Sequence, residues 1–270
     1  MFAMALPTLI RYRILGPVQT RSADGTWHDV PQDKWRTLLA VLLVRANRVV
    51  PYEELYRQLW PEAPPESRRK LVQQYVHRLR RILGDPGGET LRTRAAGYEM
   101  RVPADELDAE QFDGHCSAGR LALATGTPAE AMEHLGRAVA LWRGAAMSDV
   151  VDTRAIAAER VRLDERRLVA TEMWLRAGLA SGQHDVLIPE LESLVTAHPL
   201  REYFRELLMT ALYETGRRAD ALSVSRNLRR VLREELGLDP GAAVQRLERT
   251  ILLGEDVSLP LLRPSARSCS

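Results

Sequence analysis

Ser67–Leu83 reads SRRKLVQQYVHRLRRIL, and its two-sidedness decides how the first part of the chain is understood. The stretch holds six basic residues (Arg68, Arg69, Lys70, Arg78, Arg80 and Arg81) and no acidic one. At a helical advance of about 100° per residue, Val72, Val76, Leu79 and Leu83 fall within about 60° of one another. Lys70, Gln73, Gln74, His77 and Arg81 gather on the opposite side. One face suits a core, and the other offers cations and flat amides. A helix in the DNA major groove needs these groups: Arg or Lys for guanine and phosphate, Gln for adenine. For a basic helix taken alone, an ordinary solvated face is an equal reading. The flanks decide between them.

Upstream, Leu9–Val18 and Thr26–Val30 read as short strands around a turn at Ala23-Asp24-Gly25. A helix follows over Lys34–Ala46, with Trp35, Leu38, Leu39, Leu42 and Leu43 as its buried side. Val49-Val50 is a very short strand, and Pro51 at the first helical position opens a helix through Leu59. Trp60-Pro-Glu-Ala-Pro-Pro stops that helix, and Ser67 is a suitable cap for the basic one. After a turn cluster at Gly84-Asp-Pro-Gly-Gly, Leu91–Val102 reads as a hairpin turning at Ala95-Ala96-Gly97, with Arg92 and Arg94 on its first arm. Strands, three helices and a terminal hairpin make a winged helix, an α+β fold in which the hairpin can touch the groove beside the reading helix.

From Asp105 the chain becomes nearly continuous helix. Expected spans are Ala109–Thr125, Pro128–Trp142, Thr153–Ala180, Asp185–Ala197, Arg201–Thr215, Ala219–Leu236 and Gly241–Leu253. Gly182 and Gly216 lie 34 residues apart, the tetratricopeptide period, while Gly126 is out of phase with them. Helical hairpins stacked in a short all-α repeat domain follow, an architecture that serves as a contact surface. Pro260–Ser270 reads as a loose tail.

Charge divides along the same line. Residues 1–102 carry 17 Lys and Arg against 10 Asp and Glu, and the remainder 21 against 26. A basic first part joined to an acidic second part fits a polyanion-binding module attached to something else. Cys116 and Cys269 stand far apart, so neither a disulfide framework nor a CxxC metal site can be built from them. A reducing cytoplasm is the natural setting. The opening MFAMALPTLI lacks a cationic lead and is interrupted by Pro7, making a poor signal peptide, and no apolar run reaches the roughly 18 residues of a membrane span.

Several segments together resemble the Streptomyces antibiotic regulatory protein (SARP) family of transcriptional activators. In the first part these are RILGPVQ, DKWRTLLAVLLVRANRVVPYEELYRQLW, VHRLRRILG and TRAAGYEMRV; in the second, ALWRG, HPLREYFRELLMTALYETGRRADALSV and REELGLDPG. The resemblance covers Arg13 to Leu253. It implies a winged-helix DNA-binding domain over 1–104, a bacterial transcriptional activation domain of tetratricopeptide-like helices over 105–256, and a flexible tail over 257–270. Family members bind direct repeats upstream of promoters, often beside antibiotic biosynthesis genes, and recruit RNA polymerase. Larger members append an ATPase. No GxxxxGK[ST] phosphate loop occurs here, so a short, stand-alone member is expected.

On this reading Lys70, Gln73, Gln74 and His77 face bases, while Arg69, Arg78 and Arg81, with Arg68 beside them, hold phosphates or the groove edge. Arg94, with Gly97 and Tyr98, matches an RxxGY wing pattern that the resemblance places in or near the minor groove, where potential is focused. Its bland alternative is an exposed strand arginine. Lys34 and Arg36 could meet a phosphate with the N–H groups of their helix start, or be a solvated first turn. The Trp60–Glu66 loop corresponds by resemblance to a surface that meets sigma factor region 4 of the polymerase, with Glu62 and Glu66 as candidates; a rigid connector is the equal alternative. Trp35 and Trp60 read as core or loop anchors. Double-stranded DNA, RNA polymerase and a second protomer on a direct repeat are the expected partners, in the cytoplasm on the nucleoid.

Catalysis finds no support. His115 and Cys116 are neighbours that diverge by about 100° on a helix, and no HExxH, GxSxG or GxGxxG occurs. No cofactor or metal is expected. Two other functions compete with an activator: a helical-repeat interaction adaptor, and a ligand-responsive regulator with a small molecule between its helices.

Overall fold

The computed structural model describes residues 10–257. Beyond Val257 the expected tail, with Cys269, lies outside the described residues, as does the Leu9 end of the first expected strand. Two compact units divide the chain: Met1–His115 with Arg137–Leu168, and Cys116–Gly136 with Val169–Ser270.

The first unit opens with a three-stranded antiparallel sheet, β1 (Tyr12–Arg13), β2 (Gln19–Arg21) and β3 (Trp27–Asp29), in that order. The expected strand over Leu9–Val18 is thus cut short at Arg13, for a tertiary reason. Asp108 takes the amide hydrogens of Ile14 and Leu15 at 2.9 Å, and Asp149 takes that of Val18 at 2.9 Å. Pro17 has none to give. The donors a longer ladder would need are already engaged.

Helix α1 (Asp33–Val44) buries Leu38 through Leu43. Strand β4 (Val49–Pro51) leads into α2 (Tyr52–Leu59), with Pro51 as the N-cap at φ −64° and ψ 150°. Pro51 therefore ends the strand instead of occupying the first helical position. Its fixed φ suits an extended residue as well as a helical one. Helix α3 (Arg68–Ile82) buries Val72, Val76 and Leu79. Ser67 precedes it but makes no side-chain cap; the helix starts with Leu71 N–H donating to the Ser67 carbonyl at 3.0 Å. Helix α1 packs against both α2 and α3.

Strands β5 (Leu91–Arg94) and β6 (Gly97–Met100) form the hairpin, and β4 pairs with β6 to give a second sheet in the order β4-β6-β5. Two residues specify this wing. Asp85, in the turn cluster, accepts the amides of Glu89, Thr90 and Leu91 at 2.8, 3.1 and 2.8 Å, which orients the entry to β5. Gly97 lies against β4, where a Cβ would sit 1.9 Å from the Val50 carbonyl oxygen. Only glycine lets these backbones approach so closely.

Helices α4 (Asp108–Ala124), α5 (Pro128–Ala140) and α6 (Arg154–Ala180) have residues in both units. Within the first unit, Asp108 is 1% exposed and opens α4 directly behind the first sheet. Arg143 donates to the Pro17 carbonyl at 2.8 Å and to Gln19 Oε1 at 2.9 Å, and its main-chain N–H reaches Leu15 O at 2.8 Å. Phe112 and Trp142 meet edge to face at 5.7 Å. The segments RILGPVQ and ALWRG are therefore one assembly.

In the second unit, Ala122, Leu123, Ala131, Leu135 and Ala177 form a core with Met132, Met173 and Trp174 against it. Helix α8 (Glu202–Glu214) packs on α7 (His184–Ala197) and α9 (Arg218–Leu236), and α10 (Ala242–Leu253) packs on α8 and α9. Gly182 and Gly216 close α6 and α8 at φ +77° and +78°, a left-handed stop that other residues resist. The helical hairpins start from these stops. An α+β winged helix followed by tetratricopeptide-like helices is the architecture.

Candidate nucleic-acid interface

The buried Val72, Val76 and Leu79 seat α3 on α1 and fix what its other side presents. Arg69, Lys70, Gln73, Gln74, His77, Arg78 and Arg81 are all exposed, and Arg68 half-exposed. No salt bridge engages Arg69, Lys70, Arg78 or Arg81 among the described residues. Their charge is available to an external anion. Gln32 and Trp35 at the start of α1 join Lys70, Gln73, His77, Arg78 and Arg81 around one open cleft whose lining includes no carboxylate.

Trp35 departs from its expected role. It lines this cleft, half-buried, and its indole Nε1–H is shielded from solvent without an acceptor among the described residues. Tryptophan in an apolar-spaced helix looks like core from sequence, and only the neighbouring helix reveals the open side.

Arg68 lies over the Tyr56 ring at 5.3 Å and Arg69 over the Tyr52 ring at 5.9 Å. Tyr52 stacks on Tyr56 at 6.4 Å and meets Tyr98 edge-on at 5.6 Å. This aromatic strip carries the first turn of α3 and ties it to the wing. Tyr98 is buried, and burial lifts its phenol to about 12.

Other cations are differently employed. Arg80 donates to the Leu91 carbonyl at 2.7 and 3.0 Å and to Thr93 Oγ1 at 3.0 Å. It staples α3 to β5. Arg92 Nε bonds the Glu89 carbonyl at 2.7 Å, and Arg94 is paired with Glu99. Arg36 faces Asp33 at 2.5 Å and Asp149 at 3.3 Å with its side chain 17% exposed, while Lys34 Nζ donates to Leu59 O. The structure thus gives Arg36 two carboxylate partners within the protein, while Lys34 is exposed and keeps its charge beside a neutral carbonyl.

Glu62 and Glu66 are exposed on the Trp60–Glu66 loop, which is anchored where the Trp60 ring meets Tyr75 of α3 at 6.1 Å. Among the described residues no group of three or more His, Cys, Asp or Glu could hold a metal ion. None of their helices is long and apolar enough to cross a membrane. Cys116 is buried, and burial raises its thiol to about 11, away from nucleophilic use.

Comparison with known proteins bears on both parts of the chain. Residues 32–100 match the family described as "Transcriptional regulatory protein, C terminal", and residues 107–252 the "Bacterial transcriptional activator domain". Regulatory protein AfsR of Streptomyces coelicolor is 38% identical over 97% of this chain, which spans 26% of the AfsR length. Regulatory protein DnrI of Streptomyces peucetius is 33% identical over 90% of this chain and 92% of its own. A solved structure of Mycobacterium tuberculosis EmbR, in complex with a low-affinity phosphopeptide, superposes with a TM-score of 0.86 at 32% identity, over 92% of this chain and 66% of that one.

Proposed function

Because the chain belongs to the SARP family of transcriptional regulators, we propose that it is a sequence-specific activator that binds a direct repeat in double-stranded DNA upstream of a promoter and recruits RNA polymerase. The observation that carries the reading is α3, with Val72, Val76 and Leu79 buried and Lys70, Gln73, Gln74, His77, Arg78 and Arg81 exposed beside a cleft free of carboxylates.

In this proposal Lys70, Gln73, Gln74 and His77 read base edges in the major groove, and Arg68, Arg69, Arg78 and Arg81 hold phosphates. The wing presents Arg94 to the flanking minor groove, with Arg92 near it. Glu62 and Glu66 meet the polymerase, including sigma factor region 4. Two protomers lie head to tail on the repeat. The regulated genes are those of a secondary-metabolite pathway, and the site of action is the cytoplasmic nucleoid.

Footprinting and gel retardation on the DNA adjoining the gene test the reading. Expected is a protected direct repeat, with affinity falling steeply as salt rises because several cations displace counterions. Retardation equal on promoter and random DNA, or absent at low salt, would overturn it.

A further inference from the structure

The wing carries a carboxylate that the proposed function does not use. Glu99 Oε2 accepts from Arg94 Nε at 2.6 Å and lies 2.5 Å from Arg94 Nη2. Glu99 stands on the central strand of its sheet, opposite Val49 of β4 on one side and Arg92 of β5 on the other. Its side chain is 17% exposed, that of Arg94 43%. The acceptor is fixed from two sides, and the cation projects at the rim.

One edge of the guanidinium, Nε and Nη2, is thereby held. The Nη1 edge carries two further donors that no hydrogen bond among the described residues engages. Arg92, the other cation on this face of the hairpin, gives its Nε to the Glu89 carbonyl, and the ion pair that Glu99 makes is with Arg94. A carboxylate on a surface that meets a polyanion opposes binding by Coulomb repulsion. Its location is accounted for by what it does to Arg94. Arginine is long and rotamer-rich, and ordering it before association removes a cost otherwise met on the DNA.

We propose that Glu99 is a positioning residue for DNA recognition, which grips the Nε/Nη2 edge of Arg94 and presents its Nη1 edge to the groove flanking α3. This rests on the DNA-binding reading above. The opposite role would be a competitor: Glu99 occupying Arg94 in place of a phosphate, to be displaced by DNA. The two predict opposite signs.

The test compares the full chain with E99A, E99Q, R94A and R94A/E99A. The probes are a duplex selected by the wild-type protein from a randomised library and a scrambled duplex of the same composition. E99A is expected to weaken binding to the selected duplex by about two- to tenfold, the cost of re-ordering one long side chain, although it removes a negative charge. Binding to the scrambled duplex should hold or tighten. E99Q keeps an oxygen acceptor and should recover part of the loss; in the R94A background, E99A should no longer weaken binding. Should E99A fail to melt cooperatively, E99Q carries the test, since it keeps shape and loses charge. Selected-duplex binding by either variant at or above the wild-type level overturns the proposal. So does an E99A loss that persists without Arg94. If the wild-type chain retards neither duplex in a salt-sensitive way, the DNA-binding reading itself fails, a result distinct from either of those.

Discussion

The Asp108 carboxylate accepts the main-chain amide hydrogens of Ile14 and Leu15, 94 and 93 residues away in sequence, at 2.9 Å each. The contact ends β1 and seats the start of α4, so its loss should be felt as stability. Burial lifts the carboxyl to about 6 from an ordinary 3.8, with the Ile14 and Leu15 amides and the Arg143 charge offsetting only part of the effect. The folded state thus keeps a proton between those values that the unfolded chain has released. Stability from this group is greatest below the unfolded value and is lost as pH rises through about 6. At pH 4.5, D108A leaves two buried amides without an acceptor and should cost about 2–4 kcal/mol. At pH 7.5 that cost should shrink by about 2 kcal/mol. Urea denaturation of both proteins at the two pH values measures this; a cost that grows with pH would contradict the assignment.

Gln73 and His77 lie in the middle of the exposed stripe of α3, whereas Arg81 ends it and Arg69 lies to one side. Q73A and H77A should reduce the ratio of target to random-duplex affinity, each by about 1–3 kcal/mol of discrimination. R69A and R81A should weaken both duplexes together and flatten the salt dependence by about 0.9 in log–log slope per contact. Fluorescence anisotropy over a salt series separates the two classes. Equal losses on both duplexes for all four variants would refute the division.

Arg36 is the counter-example that makes this division testable. Its guanidinium sits between Asp33 and Asp149. R36A should leave DNA affinity within about twofold and lower stability by roughly 1 kcal/mol, as expected for a partly buried pair. A salt slope flattened as in R81A would return Arg36 to the phosphate set.

Gly97 offers a purely structural check on the wing. An alanine Cβ would overlap the Val50 carbonyl, so β4 and β6 would have to separate. G97A should destabilise the protein by more than about 3 kcal/mol, seen as a lowered melting temperature with weakened DNA binding in proportion. Full stability in G97A would mean that the β4–β6 register differs from the one described.

Helices were legible in the sequence and strand ends were not, for one reason. Apolar spacing and the stops at Gly182 and Gly216 are local, so the observed bounds of α6 through α10 fall within a residue or so of those expected. The ends of β1 are set by Asp108 and Asp149, far along the chain, and no local pattern announces them. The cations divide likewise. The exposed side of α3 follows from its period, but Arg80, on the same helix, is claimed by the Leu91 carbonyl, and Arg36 by Asp33 and Asp149. A basic residue looks the same in sequence whether it awaits a phosphate or already has an oxygen. The Trp35 indole and the Glu99 carboxylate escaped notice because each gains meaning only beside a residue from another element.

The grip of Arg143 on Pro17 and Gln19 bears on how such proteins can be recombined. A chimera that grafts residues 10–104 onto foreign helices would leave behind the guanidinium that closes the first sheet and the carboxylate that receives its amides. A donor fragment meant to exchange operator choice would have to travel with both, or find the same two side chains waiting in its new host.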